Sequence, residues 1–590
     1  MSKWIPYLLI FPVALVIMAT NGNGQEPVAT ETGPVFRSKV SFADIEEYDR
    51  LYPQISPRGK RIKNSFVRPA PLPIDPADII YQSPKLENVG EYITKDSSPA
   101  PEIDFQGLDD NGNSIPPDVN GAVGPDHLMV TLNTQIRIMD RTGTPISTVV
   151  TETFWQGIPG AGGVFDPKIY FDPYDQRWIL AMPSASQPYP INTKLMVAVS
   201  ETADPTGHWF RYSFDGDPND LLWFDYPNFG FNKKWLVVAG NMVESVPEHA
   251  VLYVFNKQDL YNYAYEINYS RFEIFDGFGL VPAVTMDEEE EDVYVVNHAG
   301  GDVGGYGYLN LRRVTGEVND PQVEDIGLSG VPYPWNEWSY FDNGDFAPQL
   351  GSDEKLNTVD ARFENMVFRN NKLWCVHHVY LPAEDPTRSA VQWWELSTDG
   401  TIVQWGREDG EEEGMVYAFA SIAVNAKEDV MIGYGSFSEE QYASASYSFR
   451  YADDPPNTLL GRYQYKDGLA PYYKTFGGAR NRWGDYTATC VDPLNDLDFW
   501  TIQEYAEVPA GAQDEWGVWW AKVNVEAMPE ALFSANITSV PVGSGVNFFD
   551  NSKYEPDAWE WIFEGGTPGT SNEQNPENII YEASGLYDVT

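Results

Sequence analysis

One pattern of apolar and polar positions recurs along the chain. An apolar strand is followed by a short polar turn, then by a second strand centred on an aromatic or apolar residue. The pattern is clearest in Asp166-Pro-Lys-Ile-Tyr-Phe-Asp-Pro-Tyr-Asp-Gln-Arg-Trp178 and in Tyr226-Pro-Asn-Phe-Gly-Phe-Asn-Lys-Lys-Trp235. Further copies begin at Pro282, Arg362, Ala420 and Asp485, and the first and weakest begins at Asp118. The seven copies are spaced by about 50 to 80 residues, which indicates a radial β architecture rather than a two-layer domain. The expectation is an all-β chain with a seven-bladed β-propeller over residues 101–527. The second repeat shows a full set of four strands, at 168–171, 178–182, 195–199 and 209–214. The seventh shows three, so a closing strand is needed. Residues 102–107 could supply it beside 516–523, which would tie the ring and protect a sheet edge.

The flanking segments have a different texture. Residues 25–100 are Pro-rich and without sustained periodicity, which reads as a linker or pro-segment, with a short helix near Ala43 to Leu51. Within it, residues 57–63 are basic, a processing site or a solvated linker, and residues 68–73 favour extended polyproline conformation. Residues 530–590 alternate again, as the strands of a small sandwich.

Composition narrows the function classes. Aromatic content of 14% with 44 Pro and 49 Gly suits many short strands joined by tight turns. A formal charge of −49 argues against nucleic acid, whose phosphates are bound by clustered Lys and Arg. Such a surface keeps a protein soluble, tolerates salt or collects divalent cations. Residues 1–24 combine Lys3 with an apolar run and a small polar end, a signal-peptide pattern with cleavage expected before Gln25. An uncleaved anchor is the alternative, and no later segment is apolar enough to span a membrane. The expected location is therefore outside the cell or on its outer surface. Cys375 and Cys490 fall in different repeats and are expected to be buried free thiols.

Candidate chemistry gathers at the strand starts. Asp118, Asp166, Asp225, Asp360 with Arg362 and Glu364, and Asp485 open successive inner strands, and the 477–486 loop adds Arg480, Arg482, Trp483 and Tyr486. Carboxylates, guanidinium groups and rings together suit a sugar or anionic glycan, because rings stack on sugar faces and Arg grips carboxylates with two hydrogen bonds. Asp360, Arg362, Glu364, Arg480, Arg482, Trp483, Asp485 and Tyr486 are thus the candidate ligand-binding set. The same residues also read as strand caps and inter-blade ion pairs. Asp360, Glu364 and Asp485 could furnish a glycosidase pair, though acidic residues are too abundant for the pairing to carry weight. His377 and His378 are adjacent in a strand and so face opposite ways. Calcium is the one cofactor the spacing leaves open. Asp109, Asn111 and Asn113, and again Asp215, Asp217 and Asn219, have alternating oxygen ligands without the closing Glu of an EF-hand. Asx-rich turns explain that spacing equally. Residues 287–292 are acidic throughout and read as a solvated hairpin turn.

Two resemblances add to this. Trp559-x-Trp-x-Phe-x-Gly-Gly-Thr-Pro568, Asn575-Pro576 and Gly585-x-Tyr-x-Val-Thr590 resemble the PKD domain, an immunoglobulin-like module of secreted bacterial proteins. That resemblance implies a last strand cut short at Thr590. Asn481-Arg-Trp-Gly-Asp-Tyr486, Ser200-Glu-Thr-Ala-Asp-Pro-Thr-Gly-x-Trp209 and Pro117-Asp-Val-Asn-Gly-Ala-Val-Gly-Pro125 resemble large secreted propeller proteins of Bacteroidetes. That family implies a propeller joined to PKD modules and no settled activity. The Ser-x-Asp-x-Gly-x-x-Trp boxes of sialidases are absent. The functional expectation is a secreted or cell-surface protein that binds glycans or extracellular proteins. A polysaccharide-active hydrolase or lyase is the alternative, and a structural adhesin or spacer the third reading.

Overall fold

The structure, a computed structural model, describes residues 24–25, 29–52, 74–85, 97–186, 192–243, 249–337, 345–478, 480–525, 531–552, 556 and 558–590. The expected signal peptide, apart from Gly24, and the 57–63 and 68–73 stretches lie outside the described residues. Among the described residues no helix is long and apolar enough to cross a membrane. The chain divides into two compact units, Met1–Val523 and Asn524–Thr590.

The larger unit is all-β and propeller-like, a succession of antiparallel meanders. Sheet 1 is Asn120–Val123, His127–Thr131, Gln135–Asp140 and Pro145–Val150. Sheet 2 is Lys168–Asp172, Arg177–Ser186, Asn192–Ser200 and His208–Asp215. Sheet 3 is Trp223–Phe231, Trp235–Val243, His249–Asn256 and Glu266–Ile274. Sheet 4 opens with the short Val281–Pro282 and continues through Val293–Val303, Tyr306–Glu317 and Asp320–Val331. Sheet 5 is Phe363–Arg369, Lys372–Leu381, Arg388–Ser397 and Ile402–Glu408. Sheet 6 is Val416–Val424, Val430–Ser438, Gln441–Arg450 and Tyr463–Lys466. Sheet 7 is Ala488–Val491, Phe499–Ala510 and Gln513–Val523, completed by Ile103–Asp109. Each copy of the sequence phrase covers the first hairpin of one sheet. The first strands touch in succession from sheet 1 to sheet 7, and that of sheet 7 touches that of sheet 1.

The apolar runs follow from this packing. Each sheet is covered on both faces by its neighbours, so Trp235–Val243 and Val416–Val424 are buried at every position rather than at alternate ones. Between sheets 2 and 3 the core holds Ile179, Leu195, Val197, Phe210, Phe224, Phe229 and Leu236. Between sheets 7 and 1, Trp500, Trp516 and Trp520 meet Val130 and Leu128. The approach is tight there: a Cβ on Gly121 would stand 2.6 Å from the Trp520 ring.

The expected closing strand is present. Lys522 pairs with Ile103, Trp520 with Phe105 and Gly517 with Asp109, so residues from the start of the ring finish its last sheet.

The 25–100 segment departs from the linker reading wherever it is described. Ala29–Pro34 adds to the outer edge of sheet 3, Phe36–Ser41 to that of sheet 2, and Ile79–Gln82 runs parallel to the outer strand of sheet 4. The helix Phe42–Leu51 starts at Ser41, whose Oγ accepts the Asp44 N–H at 3.1 Å. Its Phe42 and Ile45 are buried with Phe154 and Trp155, and Asp49 accepts the Thr153 hydroxyl at 2.6 Å. Ser98 then donates to Gly461 at 2.8 Å. The physical reason is that outer strands present unpaired N–H and C=O groups, and a polar, Pro-rich chain can satisfy them without an apolar period of its own.

The smaller unit pairs Phe533–Ala535 with Phe548–Asp550, Gly545–Val546 and Gly566–Thr567 with Ile579–Tyr581, and Trp561–Ile562 with Thr570–Ser571. Its core is Val546, Phe548, Trp561, Phe563, Ile579 and Tyr581.

Truncating the ring seam should be costly. Trp520→Ala is expected to lose about 3–5 kcal/mol, read as a lower urea midpoint of the larger unit, while Leu586→Ala, fully exposed, leaves it unchanged. Equal midpoints for both variants would refute the seam's role.

Candidate functional site

The first strands begin at one end of the ring, and their starts carry an unusual backbone. Asp118, Asp166, Tyr226 and Phe419 have φ of 53°, 49°, 53° and 59°. Each lies two residues before the point where ladder pairing starts or resumes, at Asn120, Lys168, Asn228 and Ser421. A left-handed conformation costs a non-glycine residue about 1 kcal/mol or more, and persists only where its surroundings hold it. Asn133 does part of this work at the first two. Its Nδ2 donates to Asp118 Oδ2 at 2.6 Å, and its Oδ1 accepts the Asp166 N–H at 2.7 Å.

Three carboxylates meet as a result. Oxygens of Asp118, Asp166 and Asp485, all buried, lie within 4.8 Å of one another. Lys168 stands beside them, its Nζ 3.3 Å from the centre of the Tyr486 ring and 5.9 Å from that of Tyr226. Burial pulls the Lys168 amine down to about 8, although the Glu364, Asp166, Asp118 and Asp485 carboxylates favour its charge. Tyr226 links this group to sheet 5: its hydroxyl donates to Glu364 Oε2 at 3.2 Å, and the Arg362 guanidinium lies 4.3 Å over its ring. Arg362 donates from Nε and Nη2 to the two oxygens of Asp360, each at 2.6 Å. His378 Nδ1 is 3.3 Å from Glu364 Oε1. Burial raises the Glu364 carboxyl above its usual range, against the pull of His378, Lys168 and Arg362. Glu504 lies under the same loop and is raised well above that range, by burial first and then by the charges of Asp118 and Asp110.

The expected residues are therefore partly assembled. Asp360, Arg362, Glu364, Asp485 and Tyr486 join one cluster, and Arg482 belongs to it by donating from Nη2 to Asp485. Arg480 is buried and acts on Asp345 of the Asp345–Gln349 strand. Trp483 corrects the expectation of a stacking ring: it is 1% exposed and sits edge-on to Tyr472 and Phe437 in the core between sheets 6 and 7. Tyr486 is likewise buried, with one face under Lys168 and its hydroxyl donating to Pro167 at 2.9 Å. Neither ring has an open face for a sugar. Sequence reasoning missed Lys168, Tyr226 and Glu504 as site residues. Aligning Asp118-x-Asn120 with Asp166-x-Lys168 and Tyr226-x-Asn228 would have drawn out the first two. His377 and His378 do face apart: His377 stacks on Phe363 with centroids 4.3 Å apart, while His378 meets Glu364.

The two proposed calcium loops are occupied by internal contacts. Asp109 accepts from Gln106, Asn111 Oδ1 accepts the Asn113 N–H at 3.2 Å, and the neighbouring Asp110 takes the Gly112 N–H and Lys474. Asp215 pairs with Lys194 at 3.0 Å. Asp217 accepts the Asn219 N–H at 3.2 Å and those of Leu221 and Leu222 at 2.7 Å. Asp110, Asn111 and Asp217 thus form Asx-type turns, while Asp109 and Asp215 each hold one side-chain partner. Among the described residues the donors closest to a cation-holding set are Asp118, Asp166 and Asp485, with Lys168 and Arg482 already supplying positive charge there.

The depressed Lys168 amine has a signed consequence for stability. Between about 8 and its ordinary 10.5 the unfolded chain holds a proton that the folded chain does not, so stability rises with pH across that window. Wild type is expected to gain on Lys168→Met by about 1 kcal/mol per pH unit from pH 8 to 10, measured by denaturant unfolding. A difference that stays flat would show the amine charged throughout.

No family model matches the chain, and no curated protein matches it significantly. Among solved structures it is similar to the α-L-arabinofuranosidase Arb93A of Fusarium graminearum, at 11% identity and a TM-score of 0.32, covering 73% of this chain and 98% of that one. It is similar to the exo-β-1,3-galactanase 1,3Gal43A of Clostridium thermocellum, at 10% identity and 0.27, covering 71% and 98%. It is also similar to a Trypanosoma rangeli sialidase, at 10% identity and 0.28, covering 62% and 59%. Likeness at this level carries no argument about substrate or mechanism.

Proposed function

We propose that the chain is a secreted seven-bladed β-propeller with a PKD-type module, and that the cluster at its first-strand starts hydrolyses a glycosidic bond of an extracellular polysaccharide. The single observation that carries this reading is the gathering of four carboxyl groups, those of Asp118, Asp166, Asp485 and Glu364, around Lys168 in one cluster. Glycoside hydrolysis needs a carboxyl group that keeps its proton and a carboxylate that has lost it. Burial holds the Glu364 carboxyl up, which suits the acid, while Asp166 and Asp485 share the cluster with Lys168 as candidate base or nucleophile. Tyr226 and His378 contact Glu364 and would set its orientation.

A specific observation favours a second reading, the adhesin or spacer. The charged residues of the cluster are at most 8% exposed, and Arg362–Asp360, Arg482–Asp485 and Glu364–His378 are matched internally. A ring whose centre is knitted by buried pairs can serve as a rigid support without a ligand.

The two readings separate in a product assay of the full chain on a panel of plant and marine polysaccharides. Wild type is expected to release reducing ends from at least one of them. Glu364→Gln and Asp485→Asn should each lower that rate by about 100-fold or more while unfolding at a midpoint close to wild type. No product from any polysaccharide would leave the spacer reading, and product unaffected by both substitutions would remove this cluster from the reaction.

A further inference from the structure

The opposite end of the first strands holds a cavity of about 220 Å³. It opens where sheets 1, 2, 5, 6 and 7 finish their first strands, whereas Asp118, Asp166 and Glu364 stand at or before the beginnings of theirs. Its wall is mainly apolar and includes Ala122, Val284, Val367, Ala423, Val424 and Val491. Tyr170 and Cys490 line it from within their first strands and are only half-buried, so the space reaches into the ring. A dry apolar cavity of roughly 150 Å³ holds benzene, so this one has room for a single ring or a short alkyl chain. Volume alone selects no chemistry; the charges at the mouth do.

The charged groups of the lining are Glu288, Asp492, Asp496 and Arg369, three carboxylates against one guanidinium. Arg369 is held by Asp496, and Asp492 by Arg141. Glu288 pairs with Lys233 at 3.2 Å, but the two side chains are 66% and 61% exposed, and a pair so open to water and salt is weak. Glu288 is one of six carboxylates in the 287–292 turn, which it brings to the rim. Lys233, Lys234 and Arg313 reach three of the six, Glu288, Glu291 and Asp292, and leave the turn short of positive charge. The field of this turn is felt in the cavity wall. Burial pushes the Tyr174 hydroxyl up, and the charges of Asp172, Asp287 and Glu288 push it further, against the pull of Arg369. Like charges around an opening with low-dielectric walls concentrate their field in it.

We propose that this cavity binds a small amphiphilic monocation, an ammonium group on an aromatic or short alkyl body, with the body between Val367, Ala423 and Val491 and the charge at the mouth beside Glu288. The two parts of the ligand answer two different parts of the site. Burial of the body supplies the affinity common to any apolar molecule of this size, and the unbalanced carboxylates of the rim add to it for a cation and subtract from it for an anion. The site is independent of the chemistry proposed for the other end of the ring.

The test uses the full chain with benzylammonium, benzyl alcohol and benzoate, which share one ring and differ in charge. Calorimetry at neutral pH and low ionic strength should show saturable binding of benzylammonium, about fivefold tighter than that of benzyl alcohol, and no binding of benzoate. In about 0.5 M salt the advantage over benzyl alcohol should shrink to about twofold or less. Glu288→Gln should reduce it to about twofold at low salt while leaving benzyl alcohol unchanged. Ala423→Phe, which fills the cavity, should abolish binding of both. Should that variant fail to fold, the smaller Ala423→Leu should weaken both by about fivefold or more. Equal affinities for benzylammonium and benzyl alcohol in wild type would overturn the proposal, as would the absence of saturable binding at millimolar benzylammonium. Benzylammonium binding undiminished by a folded cavity-filling variant would also overturn it, by placing the cation elsewhere on an acidic surface.

Discussion

A ring of sheets must hide the two edges at which it begins and ends, and here a single strand does so. Ile103–Asp109 pairs with Gln513–Val523 although the two strands lie far apart in the chain; the Trp519 indole N–H donates to Asp104 at 2.8 Å across 415 residues. Without that strand sheet 7 would end on an open edge of aromatic-rich backbone, a template for aggregation. Everything nearer the axis relies on it. The first strands of sheets 7 and 1 can touch because their outer partners are fixed, and Trp520 seals the seam against Gly121. The meeting of Asp485 from one side with Asp118 and Asp166 from the other depends on the same closure.

The central cluster is a charged core placed where the strands converge. Burying carboxylates is expensive unless positive charge and hydrogen bonds compensate. Lys168 and the Arg362–Asp360 and Arg482–Asp485 pairs provide that compensation. The left-handed residues at the strand starts add strain to the cost of burial. Strain and buried charge at one place are what a functional centre and a device of fold specificity have in common.

The repeated phrase was legible because a strand covered on both faces needs a continuous apolar run, and Trp178, Trp235 and Trp374 mark its second strand. The edge strands from residues 29–41 and 79–82 were not legible. They borrow their order from partners far along the chain, and nothing in a polar, Pro-rich stretch announces such a partner. At the site, the charged strand starts could be read but their burial could not. Trp483 looked like a ligand platform because a Trp beside two Arg is ambiguous, and only packing against Tyr472 and Phe437 assigns it to the core. Lys168 looked like an ordinary strand residue, since sequence gives the alternation of a strand but not that Asp118, Glu364 and Asp485 reach it from three other sheets.

The edge strands have a consequence for the order in which the molecule can form. Residues 29–41 emerge in synthesis well before their partners at 208–215 and 266–274, and the partners of 103–109 come last of all in the ring. These edge strands must therefore wait while the sheets they will bind are completed. Non-local pairing of this kind is slow to form. A polar, Pro-rich composition is what lets a segment wait in water without collapsing on itself, so the same residues that carry so little structural signal are suited to being the last to settle.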